Sequence, residues 1–416
     1  MTGAAEGAEQ NGVRHVDVLV VGAGPAGLAA AARLVAAGAG RVEVLDRERQ
    51  AGGVPRHCAH GGFGTWLHPL TGPAYARRLT RAAVGAGAEV RTGVSALDWT
   101  GPLTLATVGP GGPETIEARA VVLATGARER PRTARLVPGS RPAGVYTTGE
   151  LQQAVHLYGQ PIGTRAVVIG AEGVSFAAAD TVRAAGADVV ALVTDLPRAQ
   201  ADRTRVLNSR LCHGIPLLTD STVTELLGHG RLSGVRVRHR DGRTTVLPCD
   251  TAVFTGDFVP DHELARRGGL DLDPGTRGPA VDGLLRTSRP GVFAAGNVLH
   301  PAESAATAAR DGAHAADAVR DWLAGADRPA GVPLTVAPPL RWIAPNRVTP
   351  GDDLPYVLRT AVPLHRPVLR VTQDGRLLHR ELPRVRAVLP NRPLPLTARW
   401  THRVDPGGGP VQVTVA

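Results

Sequence analysis

Lysine is absent from this 416-residue chain: all 47 basic residues are arginine, set against 37 acids for a formal net charge of +10. With 51 Gly, 34 Pro and abundant Ala, this reads as a compositional bias toward Arg and not as a nucleic-acid footprint. The arginines are interspersed with acids, as in RVEVLDRERQ and DHELARRGG, and form no block of like charge. Aromatic residues make up only 3% of the chain and do not interleave with the arginines, as a single-strand-binding groove requires. A solvated basic surface follows, with some attraction for anionic substrates or acidic partners. Cysteine is nearly absent too. Cys58, Cys212 and Cys249 form no CxxC pair, so neither a disulfide framework nor a four-cysteine metal or iron–sulfur site can be built from them. No apolar stretch approaches a membrane span, and residues 1–15 hold no apolar core of signal-peptide type. A cytoplasmic location is expected.

The length predicts two to three domains with ample core. The most informative stretch is VDVLVVGAGPAGLAAAARLVAAG, residues 16–38, followed by VEVLD ending at Asp46. It reads as a strand, a glycine turn, a helix and a second strand that ends in a carboxylate, a unit that binds the ADP half of a dinucleotide. Gly22 makes the tight turn, Gly24 lets backbone approach a pyrophosphate, and Gly27 lets the helix pack on the strand. The helix N-terminus offers free N–H groups and a partial positive charge. Asp46 follows Gly27 by 19 residues, the distance at which a carboxylate meets a ribose hydroxyl.

Next comes a Gly- and His-rich loop, residues 47–70, long enough to suggest function. A helix is predicted over about 73–85 with Thr71 as its cap. Short β-like runs lead to VVLATG, a buried strand entering a turn at Thr125 and Gly126. TTGELQQAVHLYG reads as a helix with capping-box spacing between Thr147 and Glu150. At Arg165 a second strand–turn–helix–strand begins, RAVVIGAEGVSFAAADTVRAAGADVVALVTD, repeating the opening motif 148 residues on. Residues 213–256 predict strands with hairpin turns such as HRDGRT. TSRPGVFAAGN then leads to an Ala-rich helix from about Ala302. Residues 326–354 are Pro-rich and read as a linker or irregular wrap, and 355–416 as a small β-rich appendage.

Four blocks, GAGPAG, ATGARERP, the second glycine turn and TSRPGVFAAGN, resemble in order and spacing the two-dinucleotide-domain flavoproteins of the pyridine nucleotide-disulfide oxidoreductase superfamily. The resemblance covers roughly residues 14–325. It implies an α/β fold in which an FAD-binding Rossmann-like domain, 14–155 and 277–325, is interrupted by an NAD(P)-binding-like domain, 156–276. It sets Gly22, Ala23, Gly24, Pro25, Ala26, Gly27, Asp46, Arg47, Gly53, Val94, Thr125, Gly126, Gly296 and Asn297 against FAD, with Val94 near the adenine. Asn297 stands where the family usually carries Asp, and Asn still bonds a hydroxyl. The helix after it would point its N-terminus, near residues 301–304, at the flavin edge that gains negative charge on reduction. GGVPRHCAHGGFG, TGDFVPDHEL and GNVLHPAE further resemble flavoprotein subunits of heteromeric amine and opine oxidases, cyanide synthases and hydroxyproline dehydrogenases. That implies a small substrate, an amine, imino acid or amino acid, or a partner subunit as electron source, with oxygen, a quinone or a separate iron–sulfur protein as acceptor. An NAD(P)H-dependent flavin reductase and a non-catalytic flavoprotein subunit are the alternatives.

The departures from the family matter as much. No redox cysteine pair follows Gly52–Gly53, so dithiol chemistry is not expected. In the second turn Glu172 stands where the second Gly should be, and Ser175 replaces the third. A carboxylate facing a pyrophosphate repels it and blocks close approach, so a working NAD(P) site and a residual fold without its ligand both stand open. Cys58 is a candidate flavin-adjacent thiol, against the plainer reading of a small buried apolar residue. His300 and Glu303 follow Asn297. A His there could move a proton, though capping or packing serves equally. His57, Cys58, His60 and His68 match no strong zinc spacing, and no metal is expected. Arg128, Arg130 and Arg132 read as a solvated turn, and Asp257 and Asp261 as caps of a helix starting near His262.

Overall fold

The computed structural model describes residues 13–416 apart from 66, 302, 327, 328, 330 and 385. Ala302, expected to open the last helix, lies outside the described residues, as do residues 1–12.

Strand Val13–Val21 is apolar on both faces toward its end, with Val18, Leu19 and Val20 fully buried, as a central parallel strand must be. It pairs in parallel with Val42–Asp46 on one side and Gly112–Leu123 on the other. Glu89–Thr92 and Val292–Ala294 add parallel neighbours, and the meander Ser95–Gly101, Thr104–Gly109 completes the sheet. Helix α1 (Pro25–Ala36) buries Leu28 and Leu34 against it; each such side chain contributes roughly 1.5–3 kcal/mol. Helix α2 (Gly72–Ala86) follows the Gly/His loop, its N-cap Thr71 as predicted in position, though that side chain makes no capping bond.

The second sheet is all parallel, in the order Val145–Thr147, Thr251–Phe254, Arg165–Ile169, Asp188–Val193, Leu217–Leu218. Helix α3 (Thr148–His156) carries the predicted capping box: Thr147 N–H donates to Glu150 Oε2 at 2.7 Å and Glu150 N–H to Thr147 Oγ1 at 3.4 Å. Because Val145–Thr147 pairs into this sheet, its residues begin before the boundary expected at 156. Helices α4 (Gly173–Ala184) and α5 (Arg203–Leu211) flank it, and the 221–248 meander includes the expected hairpin. The chain crosses between the two sheets on a two-stranded ribbon, Ala127–Glu129 against Phe258–Pro260. Helix α6 (Glu263–Arg267) follows. Its N-cap is His262, without a side-chain capping bond, so Asp257 and Asp261 do not cap it. Asp257 pairs with Arg130 at 3.0 Å, and Asp261 lies 3.4 Å from Arg47.

Helix α7 (Ala305–Leu323) is capped by Ser304, whose Oγ accepts from Thr307 N–H. It crosses α1 so closely that a Cβ on Gly312 would stand 1.9 Å from the Ala26 carbonyl. The stretch expected as a linker is instead structured. Val332–Val336, Leu340–Ala344 and Arg347–Val348 are strands, and the first pairs with the terminal strand Val411–Val415. Residues 332–416 form a β unit with its own core around stacked Tyr356 and Trp400, 5.4 Å apart.

Candidate functional site

The turn from the first strand into α1 has the geometry its glycines predict. Gly22 has φ +111°, and a Cβ there would meet the Ala124 carbonyl at 2.3 Å; a Cβ on Gly27 would meet the Gly22 carbonyl at 1.9 Å. A Cβ on Gly24 would meet nothing within 4 Å. Two glycines are therefore required by packing, and the middle one faces open space at the helix N-terminus. Pro25 occupies the first turn and no acid or side-chain cap consumes the free N–H groups, which leaves them for an anion. Asp46 holds this turn from the next strand: its two oxygens accept from Ala23 N–H and Glu48 N–H, each at 2.8 Å. Burial raises its pKa, with these backbone bonds opposing. Gly53 closes over the cradle; a Cβ there would lie 2.8 Å from Gly24 Cα. Arg47 points outward toward Asp261, and buried Val94 donates its N–H to the Asp46 carbonyl at 2.9 Å.

The Gly/His loop folds into a short 3-10 turn, Val54–His57. Cys58 is buried beside α3, its thiol donating to Gln152 Oε1 at 3.4 Å. Burial, reinforced by Glu129, pushes that thiol up to about 12, so it carries no thiolate at neutral pH. His57 is buried as well and pushed down to about 4, while the His60 ring packs at 5.6 Å on Phe63. Among the described residues, no three His, Cys, Asp or Glu side chains converge as ligands of one ion.

Thr125 and Gly126 lie at the crossing ribbon: Thr125 Oγ1 donates to the Asp261 carbonyl at 2.7 Å, and Gly126 has φ +79°. Gly296, at φ +78°, abuts the start of α1, where its Cβ would lie 2.8 Å from Ala26 Cβ. The neighbouring Asn297 amide bonds both backbone groups of Glu303. His300 is fully enclosed, 4.0 Å from Glu303 and 5.3 Å from Trp342 ring to ring. Burial, with Arg359 adding to it, lowers His300 to about 3, which keeps it neutral. Arg359 of the β unit pairs with Glu303. Asp311 on α7 is half-buried, with its Oδ2 shielded from solvent and unpartnered; burial, then Glu303, pushes it up to about 7. The sequence singles out Gly296, Asn297, His300 and Glu303, whereas neither spacing nor motif gives a signal for Arg359, Trp342 and Asp311, which the fold brings beside them. Arg128, Arg130 and Arg132 are engaged internally, by Glu263, Asp257 and the carbonyls of residues 137, 139 and 140.

The second glycine turn is different. The Glu172 carboxylate lies at the N-terminus of α4, accepting from Ser175 Oγ at 2.7 Å and Asn391 Nδ2 at 3.2 Å, with Thr255 Oγ1 at 3.4 Å. A Cβ on Gly170 would stand 2.7 Å from it, and one on Gly256 3.1 Å. An anion supplied by the chain itself lies in the crevice outside the strand ends, where open α/β sheets take ligands.

Residues 16–312 match the family model described as pyridine nucleotide-disulphide oxidoreductase. The chain is 29% identical over 320 residues to a thioredoxin reductase of Mycolicibacterium smegmatis, covering 75% of this chain and 97% of that protein. It is 30% identical over 396 residues to sarcosine oxidase subunit alpha of Corynebacterium sp. strain U-96, covering 87% of this chain but 39% of that subunit. The crystal structure of T. acidophilum thioredoxin reductase superposes with a TM-score of 0.63 at 25% identity, over 74% of this chain and 98% of that one. The open cradle at Gly24 and the packed glycines beside it fit FAD, the cofactor of this fold, and the chain belongs to the pyridine nucleotide-disulphide oxidoreductase family as a flavin-dependent oxidoreductase.

Proposed function

We propose that the protein takes an electron pair from a small amine, imino acid or amino acid, or from a partner subunit, and does not depend on NAD(P)H. One observation carries this: the Glu172 carboxylate, held by Ser175 and Asn391, fills the phosphate-facing end of α4. A pyrophosphate there would meet like charge, at a cost that binding must overcome. FAD, when bound, supplies the two-electron chemistry. The chain's own part is to hold it: Gly22–Gly27 and Gly53 at the phosphates, Asp46 at the ribose, Thr125, Gly126, Gly296 and Asn297 along the rest, with 14–155 and 277–325 as the flavin domain and 156–276 as the insert, apart from Val145–Thr147, which pairs into the insert's sheet. Asp46 keeps accepting capacity beyond its two backbone bonds. Neutral His300 and protonated Cys58 take no charge to the site.

The likeness to a sarcosine oxidase subunit supports an amine-class donor and a multi-subunit assembly; a second dehydrogenase subunit and a separate iron–sulfur protein as acceptor are the partners proposed. The three free thiols suit a cytoplasmic setting, and no helix among the described residues is long and apolar enough to cross a membrane. The likeness to thioredoxin reductase supports the competing reading, an NAD(P)H-dependent flavin reductase. Anaerobic titration of the yellow protein separates them. Sarcosine, proline or a related amine should bleach the flavin, and NADH and NADPH should not. Glu172→Gly should then gain reduction by NAD(P)H. Ready bleaching of the wild-type flavin by either nicotinamide would overturn the proposal.

A further inference from the structure

The β unit enters the flavin module through one buried charged contact. Arg359, on strand Tyr356–Thr360, is 4% exposed and donates from Nη2 to Glu303 Oε1, whose side chain is 8% exposed. The guanidinium also lies 5.1 Å from the centre of the Trp342 ring, which packs in turn on His300. Glu303 has a second task. Its N–H donates to Asn297 Oδ1 at 3.2 Å and its carbonyl accepts from Asn297 Nδ2 at 3.3 Å. One residue thus holds the Arg359 guanidinium by its side chain and both ends of the Asn297 amide by its main chain. Simple attachment of the β unit does not require this pair. Asn346 Oδ1 accepts from Val281 N–H at 2.7 Å and Asp352 Oδ2 from Gly283 N–H at 3.3 Å, which already anchor the unit to the same module. A charged pair so deeply buried costs desolvation that a packed apolar pair avoids, so its place directly behind Asn297 calls for another role.

We propose that Arg359 is a positioning residue for FAD: acting through Glu303, it fixes the Asn297 amide, and the C-terminal β unit is therefore part of the flavin site. The proposal rests on the assignment of Gly296 and Asn297 to the cofactor. The test uses full-length apoprotein titrated with FAD. Arg359→Gln should weaken FAD binding roughly tenfold or more, by analogy with the loss of an outer-shell partner behind a metal ligand, and should blur the resolved visible bands of the bound flavin. Arg359→Lys should recover part of both. The double variant Arg359→Leu with Glu303→Gln leaves no buried charge unpaired, so it keeps the fold even where the single variant does not, and should show the same loss. Wild-type FAD affinity and spectrum in the double variant would overturn the proposal while leaving the flavin assignment intact. Failure of the wild-type apoprotein to take up FAD would sink both.

Discussion

At the residue scale, Asp311 holds a carboxyl group where a charge is costly. Its unfolded value is 3.8, and burial with nearby Glu303 brings it to about 7 in the folded chain. The sign follows from linkage. Below pH 4 both states are protonated and the contribution to stability is complete. As pH rises toward 7 the unfolded state ionises first, and that stability is lost, up to about 4 kcal/mol for a shift of this size. His300 and His57 act in the opposite direction. Both are depressed, to about 3 and about 4, so their contribution is present above the ordinary value of 6.5 and fades as pH falls. The comparison of Asp311→Asn with wild type removes the histidines from the difference. The gap in thermal midpoint should widen in favour of the variant from pH 5 to pH 8. A gap that does not change with pH would show that Asp311 does not titrate in this range.

At the scale of elements, the two glycine turns share a strand–turn–helix shape and differ in what their helices offer. The N-terminus of α1 is uncapped and looks onto open space at Gly24, while that of α4 is covered by Glu172 and Ser175. This separates two glycine substitutions within one motif. Gly24 has ordinary extended backbone, φ −81° and ψ −173°, so Gly24→Ala should leave the thermal midpoint of the apoprotein almost unchanged and still weaken FAD binding by obstructing the cradle. Gly27→Ala drives a Cβ into the Gly22 carbonyl and should lower the midpoint itself, by several degrees or more. Equal effects of the two on stability would refute the division of labour. The same motif explains why so much of the first module was legible. Gly22, Gly24, Gly27 and Asp46 sit at fixed spacings because a strand, a turn and a helix are local objects, and the Thr147–Glu150 box is local as well. The 332–348 strands were not legible. Pro333, Pro338, Pro339 and Pro345 read as linker, yet Val332, Leu334 and Val348 bury themselves in a sheet that reaches the chain's last strand, and Leu340, Trp342 and Ile343 in a second sheet with partners at 356–360 and 394–396. The Arg359–Glu303–Asn297 chain was invisible for the same reason: residues 56 positions apart carry no shared period.

At the scale of the whole molecule, the β unit touches the modules built on both of the large sheets. On one side Arg359 meets Glu303 beside Asn297. On the other, the loop at 391–392 meets the insert: Asn391 donates to Glu172, and Arg392 Nη2 reaches Asp202 Oδ1 at 2.6 Å. The two contacts differ in strength. The first is buried. The second involves side chains 43% and 69% exposed for the Arg392–Asp202 pair, and an ion pair in water is worth no more than about 1 kcal/mol. The insert side is therefore the weak side of the bridge, and it should open first. Replacing Asn391 and Arg392 together with Ala should leave the thermal midpoint within a few degrees of wild type. Amide hydrogen exchange should rise at 171–176 and 389–393, where opening exposes the backbone, and should not change at Val292–Ala294, which lies in the other module's core. Raising the salt concentration should produce a weaker version of the same pattern in the wild type, because only the exposed pair is screened. Exchange that rises equally in both modules would mean that the β unit stabilises the chain as one body, and that the contact at Glu172 is no separate hinge.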